Sequence, residues 1–221
     1  MIRIIGYGIG SLECGRLRER ITNFKKFKST PLTILPSDNT TVTMKIYLAG
    51  PEVFLPDPIA KGASLKALCK QHCAEGLFPM DNELGDEEHG SISEAAYIRN
   101  ANMNLIKSCD AIIANMEPFR GPSMDVGTAY EMGVGAALGK IVVGYTSDTR
   151  SFVEKVDKLG KVERAKDGLL RDGDGMAVEE FGDGDVKLVD NLMISCGIEK
   201  LCCSAEEAIK TAVELFKASN V

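Results

Sequence analysis

Two carboxylates define the chemistry open to this chain. Asp125 and Glu131 lie six residues apart in the stretch EPFRGPSMDVGTAYEMGVGAALGK, residues 117–140. Six residues turn a helix through about 600°, so the two acids do not share one face of a regular helix. They can share a site if Asp125 belongs to the loop or first turn and Glu131 projects one turn deeper. Gly127, Thr128, Val134 and Gly135 sit one turn to either side of Glu131, and their small side chains predict a shallow groove beside the carboxylate. Such a pair suits cleavage of a glycosidic bond. One carboxylate can stabilise an oxocarbenium centre or bond to it covalently, while a second acid or donor assists the leaving group. A 2'-deoxyribosyl centre is the easier case, because no 2'-hydroxyl opposes the positive charge. The same residues also have a plainer reading, in which Glu131 is solvated and Asp125 is a first-turn acid favoured by the helix dipole.

The rest of the composition directs acid–base work to these groups. His72 and His89 are the only histidines, so a Ser–His or Cys–His arrangement has little to draw on. The seven cysteines lack zinc spacing: Cys69 and Cys73 flank His72, and Cys202 and Cys203 are adjacent. No metal and no organic cofactor is called for, and reduced, mostly buried thiols in an intracellular compartment are the expectation.

These residues need a scaffold. Three short apolar runs, 45–50 (KIYLAG), 110–116 (DAIIANM) and 140–145 (KIVVGY), read as strands buried on both faces. Residues 77–80 and 198–202 are weaker strand candidates. Helical patterns fall between the strands: 59–74; a segment opened by a Ser91/Glu94 capping box and running towards 108; one capped by Ser123 and reaching about 138; and a last one opened by Ser204 and Glu207. Alternating strands and helices predict an α/β fold, a doubly wound, flavodoxin-like parallel sheet of five strands with helices on both faces. Ligands of such sheets sit outside the carboxyl ends of the strands, here the loops after Gly50, Met80, Met116 and Tyr145.

Charge divides the chain. Residues 1–43 carry a net charge of +4, against -6 for the whole. This basic extension is read as a disordered tail or a cleaved targeting segment, ahead of a domain spanning 44–221. A cytoplasmic location is expected, or an organellar one if the extension is a transit peptide. The acidic remainder argues against nucleic-acid binding, and no apolar run approaches the ~20 residues of a membrane span. Between about 146 and 188, six glycines interrupt a charged, weakly periodic stretch that reads as an insertion with one short helix near 152–159. It is either a surface excursion or a lid. The acidic run Asp86-Glu87-Glu88 reads as a solvated loop.

The segment Asp125-Val126-Gly127-Thr128-Ala129-Tyr130-Glu131-Met132-Gly133 resembles the nucleophile helix of nucleoside 2-deoxyribosyltransferases. Ile46-Tyr47-Leu48-Ala49-Gly50-Pro51 resembles the family's first strand and loop, Phe78-Pro79-Met80-Asp81-Asn82 its second strand end, and Asp190-Asn191-Leu192-Met193 the segment that a neighbouring subunit inserts to hold the sugar hydroxyls. The resemblance implies that Glu131 attacks C1', that Tyr47 hydrogen-bonds Glu131, and that Asp125 contacts the base and passes it a proton. It implies substrate-binding positions at Gly50, Asp81, Asn82, Asn102, Gly127, Asn191 and Met193. It also implies deoxynucleosides and free nucleobases as partners, and a dimer-based homo-oligomer with shared sites. Asn102 stands where some members carry a base-binding Asp, and an amide cannot supply a proton as a carboxylic acid does. The supporting residues have plainer readings as well: Tyr47 as a core aromatic, Asp81-Asn82 as a turn, Asn191 as a helix cap.

Two other functions compete. A 2'-deoxynucleoside 5'-monophosphate N-glycosidase shares the fold and a similar nucleophile helix, but a carboxylate at Asp125 would repel a phosphate. A nucleotide-binding module without catalysis is the other. Its glycine signatures fit poorly: residues 6–10 lack the third glycine, and residues 133–137 lie inside a helix.

Overall fold

The computed structural model describes residues 43–82, 89–184 and 186–219. The basic extension, apart from Thr43, and the acidic run at 86–88 lie outside them.

Five parallel strands form the sheet: β1 (Met44–Ala49), β2 (Ala74–Leu77), β3 (Ala111–Asn115), β4 (Ile141–Tyr145) and, after the insertion, β9 (Lys200–Cys202). Their order is β2-β1-β3-β4-β9, so the chain reverses direction across the sheet between β1 and β3. Side chains alternate across the pleat. Ile46 and Leu48 enter one core with Leu65, Cys69, Ile113, Val143 and Ile209. Tyr47 and Ala49 enter the other with Met103, Ile106, Ile112 and Met132. Helices α1 (Pro58–Gln71) and α6 (Ala205–Ser219) cover the first face. Helices α2 (Ile92–Ser108) and α3 (Val126–Ala137) cover the second.

Local chemistry sets the ends of these elements. Asp57 accepts the Ala60 N–H at 2.9 Å and Pro58 follows at the first helical position, so α1 starts there. Ser91 and Ser204 cap as expected, accepting from Glu94 N and Glu207 N. Each glutamate reaches one residue further back than a regular box, to Gly90 N and Cys203 N.

Two boundaries differ from expectation. Helix α1 stops at Gln71 because Cys73 takes φ 60°, a left-handed value that breaks the helix, and β2 then begins at Ala74 rather than 77. The insertion carries more than its short helix α4 (Phe152–Asp157). It forms two small antiparallel hairpins, β5 (Glu163–Arg164) with β6 (Leu170–Arg171) and β7 (Gly182–Asp183) with β8 (Val186–Lys187). A last short helix, α5 (Leu192–Ser195), precedes β9. Among the described cysteines, Cys69, Cys109 and Cys202 are buried but Cys73, Cys196 and Cys203 are exposed, so burial shelters only half of these thiols. No helix among the described residues is long and apolar enough to cross a membrane.

Close packing of α1 on the sheet depends on Gly62. A Cβ there would stand 2.5 Å from Cδ1 and 2.8 Å from Cε1 of the buried Phe78 ring, which cannot turn aside as a flexible chain end would. Alanine gains up to ~1 kcal/mol of helix propensity, while overpacking costs ~1–3 kcal/mol. Gly62→Ala is therefore expected to destabilise the fold by about 1–2 kcal/mol, read as a lower midpoint in urea unfolding with an unchanged slope.

Candidate active site

The second face of the sheet brings the catalytic candidates together. Tyr47 is fully buried in the middle of β1, and its hydroxyl donates to Glu131 Oε1 on α3 at 2.6 Å. That length belongs to a charge-assisted bond. Tyr47 is thus both a core aromatic and the partner of the acid: its ring packs in the core and its oxygen reaches out of it. Glu131 is partly buried, and its carboxyl group is pushed up to about 7. Burial is the main cause, the Asp125 charge adds to it, and the Tyr47 hydrogen bond works in the opposite direction. The Tyr47 hydroxyl is itself held well above the usual phenol range, first by burial and then by the Glu131 charge, so it remains a donor.

Asp125, not Ser123, caps α3. Its Oδ2 accepts Thr128 N at 2.8 Å and Thr128 Oγ1 at 3.0 Å. Oδ1 carries no hydrogen bond among the described residues, so a single oxygen starts the helix. Gly127 lies against this cap, where a Cβ would come within 3.0 Å of Asp125 Oδ2.

The expected groove of small residues does not form as drawn. Thr128 and Gly135 lie on the buried face of α3, and a Cβ at Gly135 would collide with Ile112. They let the helix approach the sheet and do not open space over Glu131; helical periodicity places them with buried Met132.

Ser123 instead donates to Asp190, which is 1% exposed. Asp190 also accepts Met124 N at 2.9 Å and Asn191 N at 2.8 Å, so it ties the loop entering α3 to the segment that follows the insertion. Asn191 caps α5, accepting Met193 N at 2.9 Å, and donates its amide to Glu179 at 2.8 Å. Met193 is 76% exposed. The short helix α5 packs beside α3.

Asn82 and Asn102 meet: Asn82 Nδ2 donates to Asn102 Oδ1 at 3.0 Å and to Pro79 O at 2.9 Å. Asp81 is engaged elsewhere, accepting Phe78 N at 2.9 Å and pairing with Lys66 at 2.5 Å, which matches its plainer reading as a turn residue.

Sequence reasoning passed over three features of this edge of the sheet. Glu52, 5% exposed, accepts Asn115 Nδ2 and the Tyr145 hydroxyl, each at 2.8 Å, and so joins the ends of β1, β3 and β4. Gly50 permits this, because a Cβ there would collide with the Glu52 carboxylate. Above it, Phe54 stacks on Phe119 with centroids 5.4 Å apart, and Arg120 covers both rings. The third is Asp190. An acid in an otherwise apolar loop (Glu52) and an acid beside a cap (Asp190) are faint signals, and neither points to a partner.

The arrangement suits nucleophilic chemistry at a carbon bearing a departing group: one oxygen of Glu131 is held by a phenol, the other takes no hydrogen bond among the described residues, and a second carboxylate stands at the head of the same helix. Comparison with known proteins bears on the family. The sequence profile of the nucleoside 2-deoxyribosyltransferase family matches residues 46–193. The chain is similar to a 2-desoxiribosyltransferase from Leishmania mexicana, at 38% identity and TM-score 0.60, covering 77% of this chain and 97% of that one. It is 33% identical to an uncharacterized protein of Schizosaccharomyces pombe over 76% of this chain and 86% of the relative. A conserved protein from Enterococcus faecalis V583 shares the fold at 20% identity and TM-score 0.50, covering 79% and 99%.

Two outcomes follow from the Glu131 environment. Its folded-state value lies above the ordinary 4.5, so between about 4.5 and about 7 the folded chain binds more protons than the unfolded one. The contribution of this group to stability therefore falls as pH rises through that window. Glu131→Gln should gain stability relative to the parent between pH 5 and pH 8, measured by urea unfolding at both. Tyr47→Phe removes the contact that lowers the Glu131 value, so the Glu131 carboxyl carbon should titrate at higher pH, followed by carbon NMR.

Proposed function

The chain belongs to the nucleoside 2-deoxyribosyltransferase family, and from that premise we propose that it moves 2-deoxyribose between purine and pyrimidine bases through a covalent glycosyl–Glu131 intermediate. The observation that carries this reading is the 2.6 Å bond from Tyr47 to Glu131 Oε1. It fixes one carboxylate oxygen, and in this reading the other meets the sugar.

In the proposed reaction Glu131 Oε2 bonds to C1' as the C1'–N bond breaks, and the electron pair stays on the base nitrogen. In the donor complex Asp125 carries a proton, contacts the base through Oδ1 and hands that proton over as the base departs. A second base then attacks C1' with its ring nitrogen, its N–H proton passes back to Asp125, the ester bond to Glu131 breaks, and the new nucleoside leaves. Two inversions give net retention at C1'. Asn82 and Asn102 flank the base, and Asn191 holds a sugar hydroxyl. We assign Asn191 and Met193 to the site of a neighbouring copy in a dimer-based assembly. Exposed Val126, Tyr130 and Met193, at or beside α3, support coverage of this surface.

Hydrolysis of a deoxynucleoside 5'-monophosphate is disfavoured on electrostatic grounds. A phosphate would seek the N-terminus of α3, but Asp125 already places a carboxylate there and satisfies its N–H.

The test mixes the purified chain with thymidine and adenine in the absence of phosphate. Deoxyadenosine is the expected product; free thymine alone would make the protein a hydrolase. Glu131→Ala should lower exchange by at least about a thousandfold, and a 2'-fluoro nucleoside should leave a mass adduct on Glu131. Base release in the first half-reaction should rise with pH up to about 7, as Glu131 ionises. Asp125→Ala should slow base release by about a hundredfold; an unchanged rate removes its role.

A further inference from the structure

The insertion between β4 and β9 delivers one acid to the segment at 190–193. Glu179 accepts the Asn191 side-chain amide through Oε1 at 2.8 Å and the Leu192 backbone N–H through Oε2 at 2.8 Å. The hairpin behind it sets its place: Val178 N donates to Leu170 O at 2.9 Å, and Arg171 bridges to Ala177. Asn191 Oδ1 meanwhile accepts Met193 N at 2.9 Å.

Together these contacts determine which end of the amide is which. A free asparagine can exchange its donor and acceptor edges by rotating half a turn. Here that rotation would set NH2 against the Met193 N–H and a carbonyl oxygen against a carboxylate, so a single orientation survives. One amide hydrogen and one carbonyl lone pair are left over for a ligand.

We propose that Glu179 is a positioning residue for deoxyribosyl transfer, holding Asn191 so that its remaining donor and acceptor meet a hydroxyl of the sugar. The inference rests on the sugar-holding role assigned to Asn191 above. It gives the glycine-rich insertion the task of a brace, in place of a lid or an idle excursion. Glutamine cannot substitute cleanly at this position. Either orientation of its amide turns NH2 towards the Asn191 amide or the Leu192 N–H, and one pair of donors then faces each other.

The test measures kcat/KM for base exchange by the parent, Glu179→Ala, Asn191→Ala and the double variant. The donors are a 2'-deoxynucleoside and analogues lacking the 3'- or the 5'-hydroxyl. Each single substitution should lower kcat/KM by about tenfold on the full donor. The double variant should be no worse than Asn191→Ala alone, because Glu179 acts through Asn191. On one of the two trimmed donors all four proteins should perform alike. Additive losses overturn the proposal, as does a Glu179→Ala loss equal on every donor, which is the mark of damaged packing. A harmful Asn191→Ala beside a harmless Glu179→Ala overturns it while leaving the reading of Asn191 intact. A harmless Asn191→Ala removes that reading first, and the role of Glu179 with it.

Discussion

A single hydrogen bond between a strand and a helix organises the site. Tyr47 rises from the centre of the sheet, and only its terminal oxygen reaches the carboxylate of Glu131. The ring is locked in the core, so the hydroxyl cannot follow a moving partner. The carboxylate has to come to it, and α3 must lie at the distance that Gly135 allows over Ile112. Sheet–helix packing is thereby converted into the placement of one oxygen. The same burial that fixes the tyrosine also desolvates the acid, and the hydrogen bond returns only part of what burial removes. The result is a carboxyl group balanced near neutrality instead of deep in the acid range.

Around that bond, buried acids hold the loops. Glu52 joins three strand ends, and Asp190 joins the entry of α3 to the segment after the insertion. Their partners among the described residues are neutral amides, hydroxyls and backbone N–H groups, which orient a carboxylate without neutralising it. Each acid is satisfied by geometry that only the folded chain provides, and leaving such a group unpaired is costly. The loops at the carboxyl edge of the sheet are consequently tied down where a ligand would enter.

Much of this was legible in the sequence, for physical reasons. β1, β3 and β4 are covered on both faces and read as unbroken apolar runs. β2 is an edge strand whose residues, Ala74-Glu75-Gly76-Leu77, form no such run, and its start was misplaced because nothing in the sequence announces the left-handed turn at Cys73. The hairpins of the insertion pair two residues with two, too few to show a period. Within the site, the sequence offered Asp125 and Glu131 only as a pair of carboxylates on one segment, and the contact between Tyr47 and Glu131 came from the resemblance, because it joins residues 84 positions apart. The anchoring roles of Glu52 and Asp190 were not visible. Their partners lie as far as 93 and 67 residues away, and an isolated acid in a loop carries no mark of what it will meet. The groove failed for a related reason: small residues on a helix serve close packing as readily as they serve access.

The cap on α3 also bears on how this scaffold can change. Asp125 spends one oxygen starting the helix that carries Glu131, so the position is confined to the few side chains able to accept a backbone N–H there: Asp, Asn, Ser, Thr. A substitution that loses the cap unsettles the helix beneath it. Asn102 is under no such obligation, being mid-helix and, among the described residues, hydrogen-bonded to another amide. Diversification should therefore accumulate at position 102, while position 125 varies only within its short list.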